Sequence, residues 1–425
     1  MYRSLSRSRS DPILQCLISK LLNAKTFYII TCSIVILGSF LWFGSVDQTS
    51  QNNDHIVQEA ISNAATDPRY AEVYRKSTRL PNDTKYLLLW TPTDFAPFYY
   101  LGRGQKAFID SNCSMINCFI TDDRNFFNGD VTKFHAIGFN GRNIQDYRKW
   151  DLPKHRSPHQ KYIFFNMESA DNYPVCSQIY DNFFNWTSTY RLDSDLPFTY
   201  MKIRDKEGNI VGPKKHMQWR QNMTVDDSIV DILKNKSEAA AWFVSHCVSR
   251  SGRKDFVRKL QLELKSHQLK VDVYGSCGPL KCPVQDKNKC NNLLEEKYMF
   301  YLSLENSFAE DYVTEKLLTA VQHHVVPIVY GGADYSRFLP PDSYLDGREL
   351  SPKQLASTMV HLVKQPELYK EFFRWKSYYS YHDPSDNVCS VCEALNNVHM
   401  LDTTSVYKHF RKWWNPEFAE RCKKL

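Results

Sequence analysis

The sequence predicts an α/β protein of two Rossmann-like domains facing a cleft, preceded by one transmembrane helix and a stem. Three observations carry that expectation. Strand-like runs alternate with helical segments in two separate series, the pattern of parallel sheets covered by helices on both faces. Residues 298–332 read as one complete strand–helix–strand unit. The run Tyr298–Leu304 is apolar enough for a strand buried on both faces and ends in Glu305-Asn306-Ser307. A helix is expected from Asp311 to His324, and a second buried strand, Val325–Tyr330, stops at Gly331-Gly332. The third observation is Thr26–Val46, 21 residues without a charged side chain, long enough to cross a hydrocarbon core as a helix.

The elements follow in chain order. Arg3, Arg7, Arg9, Lys20 and Lys25 precede the span and Asp47 follows it, so residues 1–25 are expected in the cytosol and everything past 46 in a lumen. A cleaved signal peptide is the rival reading. Against it, the apolar stretch exceeds a usual signal core and no small-x-small cleavage site ends it. Residues 47–83, rich in Gln, Asn, Ser and Thr, read as a partly disordered stem. In the first domain, 84–227, strands are expected at Tyr86–Trp90, Cys118–Thr121, Lys133–Phe139 and Tyr162–Met167. In the second, 228–375, they are expected at Ala240–Ser245, Val271–Tyr274, Tyr298–Leu304 and Val325–Tyr330, with a helix over Arg253–His267. The polar stretch Asp193–Asp227 joins the two series, and 376–425 is a cysteine-containing extension.

Composition narrows the class. Of 425 residues, 42% are apolar and 14% aromatic, which argues for packed cores. The formal charge of +7 takes +4 from residues 1–25, leaving +3 (7 − 4) spread without a basic block, so no nucleic-acid partner is expected. Five Asn-x-Ser/Thr triplets lie past the span, at Asn82, Asn112, Asn185, Asn222 and Asn235. Ten cysteines lie there too, an even number that reads as a disulfide framework in an oxidising lumen. Cys389 and Cys392 are its nearest pair, and a bond between them would close a short loop. Zinc is the rival for Cys389-x-x-Cys392, but it lacks a second closely spaced ligand pair. A redox motif would need a preceding strand, which HDPSDNVCSVC does not offer.

Spacing also marks a site. On the expected 311–324 helix, Val313, Leu317, Ala320 and Val321 share the apolar face, while Tyr312, Glu315 and Lys316 share the opposite face in the first turn. Ligands of open α/β sheets bind beyond the carboxyl ends of the strands, so this face, beside Asn306, suits a sugar phosphate. An ordinary solvated face is the alternative. Lys316 on that face should be removable without opening a cavity.

Tyr301-Leu302-Ser303-Leu304-Glu305-Asn306-Ser307, followed by Asp311-Tyr312-Val313-Thr314-Glu315-Lys316-Leu317, closely resembles the donor-binding motif of the α1,3-fucosyltransferases of glycosyltransferase family 10. The likeness runs from about Leu87 to Cys392, through Asn166-Met167-Glu168-Ser169, Thr189–Asp195, Val244-Ser245-His246-Cys247 and Ser251-Gly252-Arg253. It implies the GT-B arrangement of two Rossmann-like domains and an inverting transfer of L-fucose from GDP-fucose to the 3-hydroxyl of a GlcNAc residue in a glycoprotein glycan. Glu168 matches the family's catalytic Glu and becomes the expected general base. Arg253, Asn306, Tyr312, Glu315 and Lys316 match donor-binding positions, with Arg253 and Lys316 set against the diphosphate. Arg250 and Arg258 are the competitors of Arg253. No cofactor is implied, and Mn²⁺ is at most stimulatory. Asp193-Ser194-Asp195 has the D-x-D form of metal-dependent glycosyltransferases, but with two cations available it reads as a structural or sugar-contacting loop. The resemblance implies a Golgi membrane location. Leu304 stands where Phe is common and Leu192 where Arg is common, signs of a divergent branch. The alternative function is a glycan-binding relative that keeps the fold without turnover. The acceptor, terminal N-acetyllactosamine or N-glycan core GlcNAc, is not decided by any motif.

Overall fold

The structure is a computed structural model that describes residues 54–281 and 287–423, apart from 75, 76 and 78. The expected span at 26–46 lies outside these residues. Among the described residues no helix is long and apolar enough to cross a membrane.

Two five-stranded parallel sheets dominate. The first holds β1 (Lys85–Leu89), β2 (Cys118–Thr121), β3 (Ala136–Asn140), β4 (Lys161–Asn166) and β5 (Trp186–Thr189) in the order β2-β1-β3-β4-β5. A short hairpin, β6 (Lys202–Asp205) and β7 (Ile210–Gly212), follows. The second sheet holds β8 (Glu238–Phe243), β9 (Val271–Tyr274), β10 (Tyr298–Leu304), β11 (Val326–Tyr330) and β12 (Leu345–Asp346) in the order β12-β11-β10-β8-β9. The apolar runs become strands because both faces are covered. Leu87 and Leu89 enter one core of the first sheet, while Leu88 and Trp90 enter the core on its other face. In β10, Phe300, Leu302 and Leu304 pack beneath the sheet against the helix Arg253–Lys265, and Tyr301 packs on the opposite side. That alternation is the period-two signature of a strand.

Three expectations about organisation are corrected. Residues 54–66, read as part of a partly disordered stem, are helical, and Ala60, Ile61 and Ala64 are buried in the first domain's core. Their spacing, with Ile56 and Val57, is an apolar stripe of helical period. The Asp193–Asp227 region is more than a connection: it carries β6 and β7, which pair antiparallel with β13 (Tyr379–His382) in a third sheet. Residues 376–425 are not an appendage, because they return to the first domain. Val391 and Leu395 of the helix Cys389–Asn396 are fully buried there, and the rings of Phe410 and Trp414 lie 4.8 and 4.9 Å from Phe164.

The sulfur pairing follows from that return. Cys389 and Cys392 sit at i and i+3 on one helix face and bond not to each other but to Cys113 and Cys118. Cys176 bonds Cys422, Cys247 bonds Cys277, and Cys290 is also disulfide-bonded. A framework was expected; the local pairing is the part that fails, since both thiols point from one helix face to partners in the first domain, Cys113 in a loop and Cys118 at the start of β2.

Candidate active site

The expected site residues gather at the carboxyl ends of β4, β8 and β10, around two adjoining cavities. One, about 370 Å³, is lined by Arg253, Asn306, Glu315 and Lys316 beside Ser245 and His246. The other, about 650 Å³, is lined by Glu168, Met167, Tyr99, Tyr100 and again Glu315. Glu315 is the wall they share. A cavity of about 710 Å³ beside Trp90 and Trp150 holds none of these residues and is walled by the core face that carries Leu88 and Trp90.

The smaller cavity is built by a hook between two loops. After β8 the chain reaches Ser251, whose N–H donates to Asn306 O (3.1 Å) and whose hydroxyl donates to Glu305 O (2.7 Å). Gly252 then caps the helix Arg253–Lys265 at φ +64, a left-handed conformation that suits glycine. Arg253 is thereby drawn inside: it is 4% exposed, with Nη1 donating to Leu304 O (2.6 Å) and Nη2 to His246 O (3.2 Å). Its Nε has no partner among the described residues. Burial lowers its pKa, although Glu305 opposes the shift. Its competitors lie elsewhere: Arg258 pairs with Asp255 on the exposed side of the helix, and Arg250 is exposed. The disulfide Cys247–Cys277 ties the loops that follow β8 and β9 beside this cavity.

The helix after β10 begins later than expected, at Glu315, and ends at Val321. Asp311 adopts φ +58, which Asp tolerates better than most residues, and Thr314 is extended, so neither can continue a helix. Asp311 instead ties the two halves together, accepting from Leu192 N–H (3.1 Å) and Arg337 (2.7 Å). Tyr312 therefore does not share a polar helix face with Lys316. It is 3% exposed, with its ring 4.9 Å from Tyr190 in the first domain. Lys316 is not a free surface cation either. Its Nζ lies 3.2 Å from Glu305, 3.0 Å from Glu315 and 2.7 Å from Thr314 Oγ1. Burial works to lower the Lys316 pKa, but the Glu305 and Glu315 carboxylates outweigh it and raise it. Glu305 is 1% exposed, and burial raises its pKa in spite of Lys316. Truncating Lys316 would thus strand a buried carboxylate, contrary to the expectation of a harmless surface change. Sequence reasoning missed this partner because Glu305 precedes the helix, where no helical spacing relates the two. Asn306 lines the cavity, yet its Oδ1 accepts from Asn172 Nδ2 (3.2 Å), a clasp between the halves.

Glu168 sits just past β4. Its N–H donates to Oδ1 of the fully buried Asn166 (2.8 Å), and the Tyr200 hydroxyl donates to Met167 O (2.6 Å), which fixes the turn that presents it. The Glu168 carboxylate makes no hydrogen bond or ion pair among the described residues, so its acceptor capacity remains available in the cavity. Tyr99, Tyr100 and Asp383 in that cavity went unnoticed in the sequence; the exposed tyrosine pair was the available signal.

The D-x-D carboxylates are engaged inside the first domain. Asp193 takes two hydrogen bonds of 2.8 Å from Arg191 and one of 3.2 Å from Trp413, and Asp195 accepts from Thr187 N–H and Tyr407. That geometry fits the structural-loop reading. Of the sequons, Asn82, Asn112, Asn222 and Asn235 are exposed. Asn185 is half-buried, with Nδ2 donating to Ser405 O and Oδ1 accepting from Tyr162 N–H, so its amide is part of the fold.

Residues 82–201 match the family model "Fucosyltransferase, N-terminal", and residues 233–413 match "Glycosyltransferase family 10 (fucosyltransferase) C-term". Alpha-(1,3)-fucosyltransferase C of Drosophila melanogaster is 34% identical, over 90% of this chain and 87% of its own. The chain belongs to glycosyltransferase family 10. Another relative matches over less of its length. An alpha-(1,3)-fucosyltransferase of Caenorhabditis elegans is 32% identical over 63% of this chain and 59% of its own. A crystal structure of an alpha1,3-fucosyltransferase with GDP-fucose superposes with a TM-score of 0.46 at 13% identity, covering 82% of this chain and 97% of that one. As a member of this fucosyltransferase family, the protein is a glycosyltransferase.

Proposed function

We propose that this family 10 enzyme transfers L-fucose from GDP-fucose, with inversion, to the 3-hydroxyl of a GlcNAc residue in glycoprotein glycans. The observation that carries the reading is the shared wall: the cavity of Glu168 and the cavity of Arg253 and Lys316 meet at Glu315. An acceptor hydroxyl beside Glu168 loses its proton to that carboxylate as its oxygen bonds the fucosyl anomeric carbon. The bond from that carbon to the β-phosphate oxygen breaks on the opposite face, and GDP leaves with the electron pair. Arg253 and Lys316 offset the charge that grows on the diphosphate, so no metal is required. Glu305 and Glu315 hold the Lys316 ammonium in place, and Tyr312 packs the donor loop onto the first domain.

The reading puts the protein in the Golgi membrane as a single-pass type II chain. Support comes from the uncharged Thr26–Val46 stretch with its basic flank, the paired cysteines and the exposed sequons.

A GDP-fucose transfer assay across lactosamine and N-glycan core acceptors tests the chemistry. The secreted form should begin before Asp54, because the 54–66 helix belongs to the folded core. Glu168→Gln is expected to lower kcat by roughly 10²–10⁴-fold while GDP affinity by calorimetry stays unchanged. Wild-type turnover in that variant would remove Glu168 from the mechanism.

A further inference from the structure

The cavity that holds Glu168 has charge of one sign only. Its walls carry four carboxylates, Glu168, Glu315, Asp110 and Asp383, and no Lys, Arg or His. Two of these have a nearby cation: Lys106 Nζ is 2.9 Å from Asp110, and Lys316 Nζ is 3.0 Å from Glu315. Glu168 and Asp383 have no ion-pair partner among the described residues. The same cavity has an aromatic surface. Tyr99 and Tyr100 are 53% and 48% exposed with ring centroids 4.2 Å apart, and Tyr100 is stacked 6.2 Å from Phe198. Burial, then the Tyr99 hydroxyl, then Asp383 and Glu315 raise the Tyr100 pKa, so its hydroxyl stays neutral. A flat apolar face edged by hydrogen-bond acceptors and neutral hydroxyls suits the C–H face and hydroxyls of an uncharged pyranose.

We propose that this cavity selects glycan acceptors by charge, taking neutral termini and rejecting those with a sialyl carboxylate, sulfate or other anion near the reacting hydroxyl. The proposal rests on the fucosyl-transfer reading and adds the acceptor class to it. Like charges inside a half-enclosed cavity lie within the screening length of about 8 Å at physiological salt, and such juxtapositions are strongly disfavoured. A bound donor worsens the clash, since its diphosphate occupies the adjoining space.

The test compares kcat/KM for three acceptors: N-acetyllactosamine, its 3′-sialylated form, and the methyl ester of that sialylated form, which keeps the bulk and removes the charge. At low salt the ester should be used about 10-fold or more better than the acid. The gap should narrow at high salt and by about 3–10-fold in Asp383→Asn, whose exposed site tolerates the change. Equal use of acid and ester overturns the proposal, as does a gap that neither salt nor Asp383→Asn moves. If GDP-fucose is transferred to none of the three, the N-glycan core acceptor decides the transfer reading, and saturation-transfer NMR of the GDP-loaded protein decides charge selection. Weaker binding of acid than ester supports it, and equal binding overturns it.

Discussion

The two parallel sheets have the same strand order, yet only one uses the crevice that the order creates. Counted within each half, both run 2-1-3-4-5, with the direction of winding reversing between the first and third strands. In the second half that reversal lies between β8 and β10, and the loops leaving those strands line the cavity of Arg253, Asn306 and Lys316. In the first half the equivalent point, between β1 and β3, is packed shut. Asn140 is fully buried there, its N–H bonded to Thr91 Oγ1 and its amide to Phe95 O and Ala96 O. A Cβ added at Gly141 would stand 2.5 Å from the Phe164 ring. The carboxylate assigned to catalysis comes instead from the next strand, β4. Topology offers a crevice, and the residues just past the strands decide whether it stays open.

That contrast can be broken at its charged end first. Lys316→Ala should cost about 3–5 kcal/mol of stability, the typical penalty for stranding one partner of a buried pair. It should also abolish the thermal shift that GDP gives the wild type. Adding Glu305→Gln should restore much of the melting temperature but none of the GDP shift. If Lys316→Ala alone melts like wild type, the Glu305 pair does not hold the donor half together.

In the first half, Asp193→Asn should cost roughly 1.5–3 kcal/mol by weakening the charged bonds to the buried Arg191. Activity of the folded variant should remain insensitive to EDTA. Complete loss on chelation in the wild type, restored by Mn²⁺, would return the D-x-D carboxylates to metal duty. Gly141→Ala should cost about 1–3 kcal/mol by overpacking the closed crevice, read by denaturant unfolding. A neutral outcome would mean that the plug is looser than Phe164 and Asn166 make it.

The smallest effect is in pH. Glu295 is held down to about 2: burial acts to raise it, but the His324 ring and backbone N–H outweigh that. A carboxyl lower in the folded than the unfolded state stabilises above its unfolded value of 4.5 and loses that contribution as pH falls toward 2. Glu295→Gln should flatten the acid limb of stability across that window, measured by melting temperature, with its full cost showing at neutral pH and shrinking as pH falls toward 2.

The strands that were legible in advance are those whose apolar runs need no help, such as β2, β9 and β10. β5 was not, because Thr187, Ser188 and Thr189 read as polar although all three are fully buried. Asp195 and Ser194 supply hydrogen bonds to two of those hydroxyls from the following turn, a pairing that no periodicity reveals. The site residues were named by motif, and Glu168, Arg253, Glu315 and Lys316 do line the two cavities. What the motif could not convey is dependence between them. Tyr312 packs against Tyr190, which is far away in sequence, and Lys316 pairs with Glu305, which lies before the helix where no helical spacing relates them.

The return of the last fifty residues has a consequence for a damaged chain. Cys113–Cys389 and Cys118–Cys392 span 276 and 274 residues, so nearly the whole second half of the molecule lies inside covalent rings. A single proteolytic cut anywhere between Cys118 and Cys389 therefore releases nothing. The nicked protein travels as one species in non-reducing electrophoresis and separates into two fragments only after thiol treatment. Such a chain can lose backbone continuity in an exposed loop and still keep its two halves covalently joined.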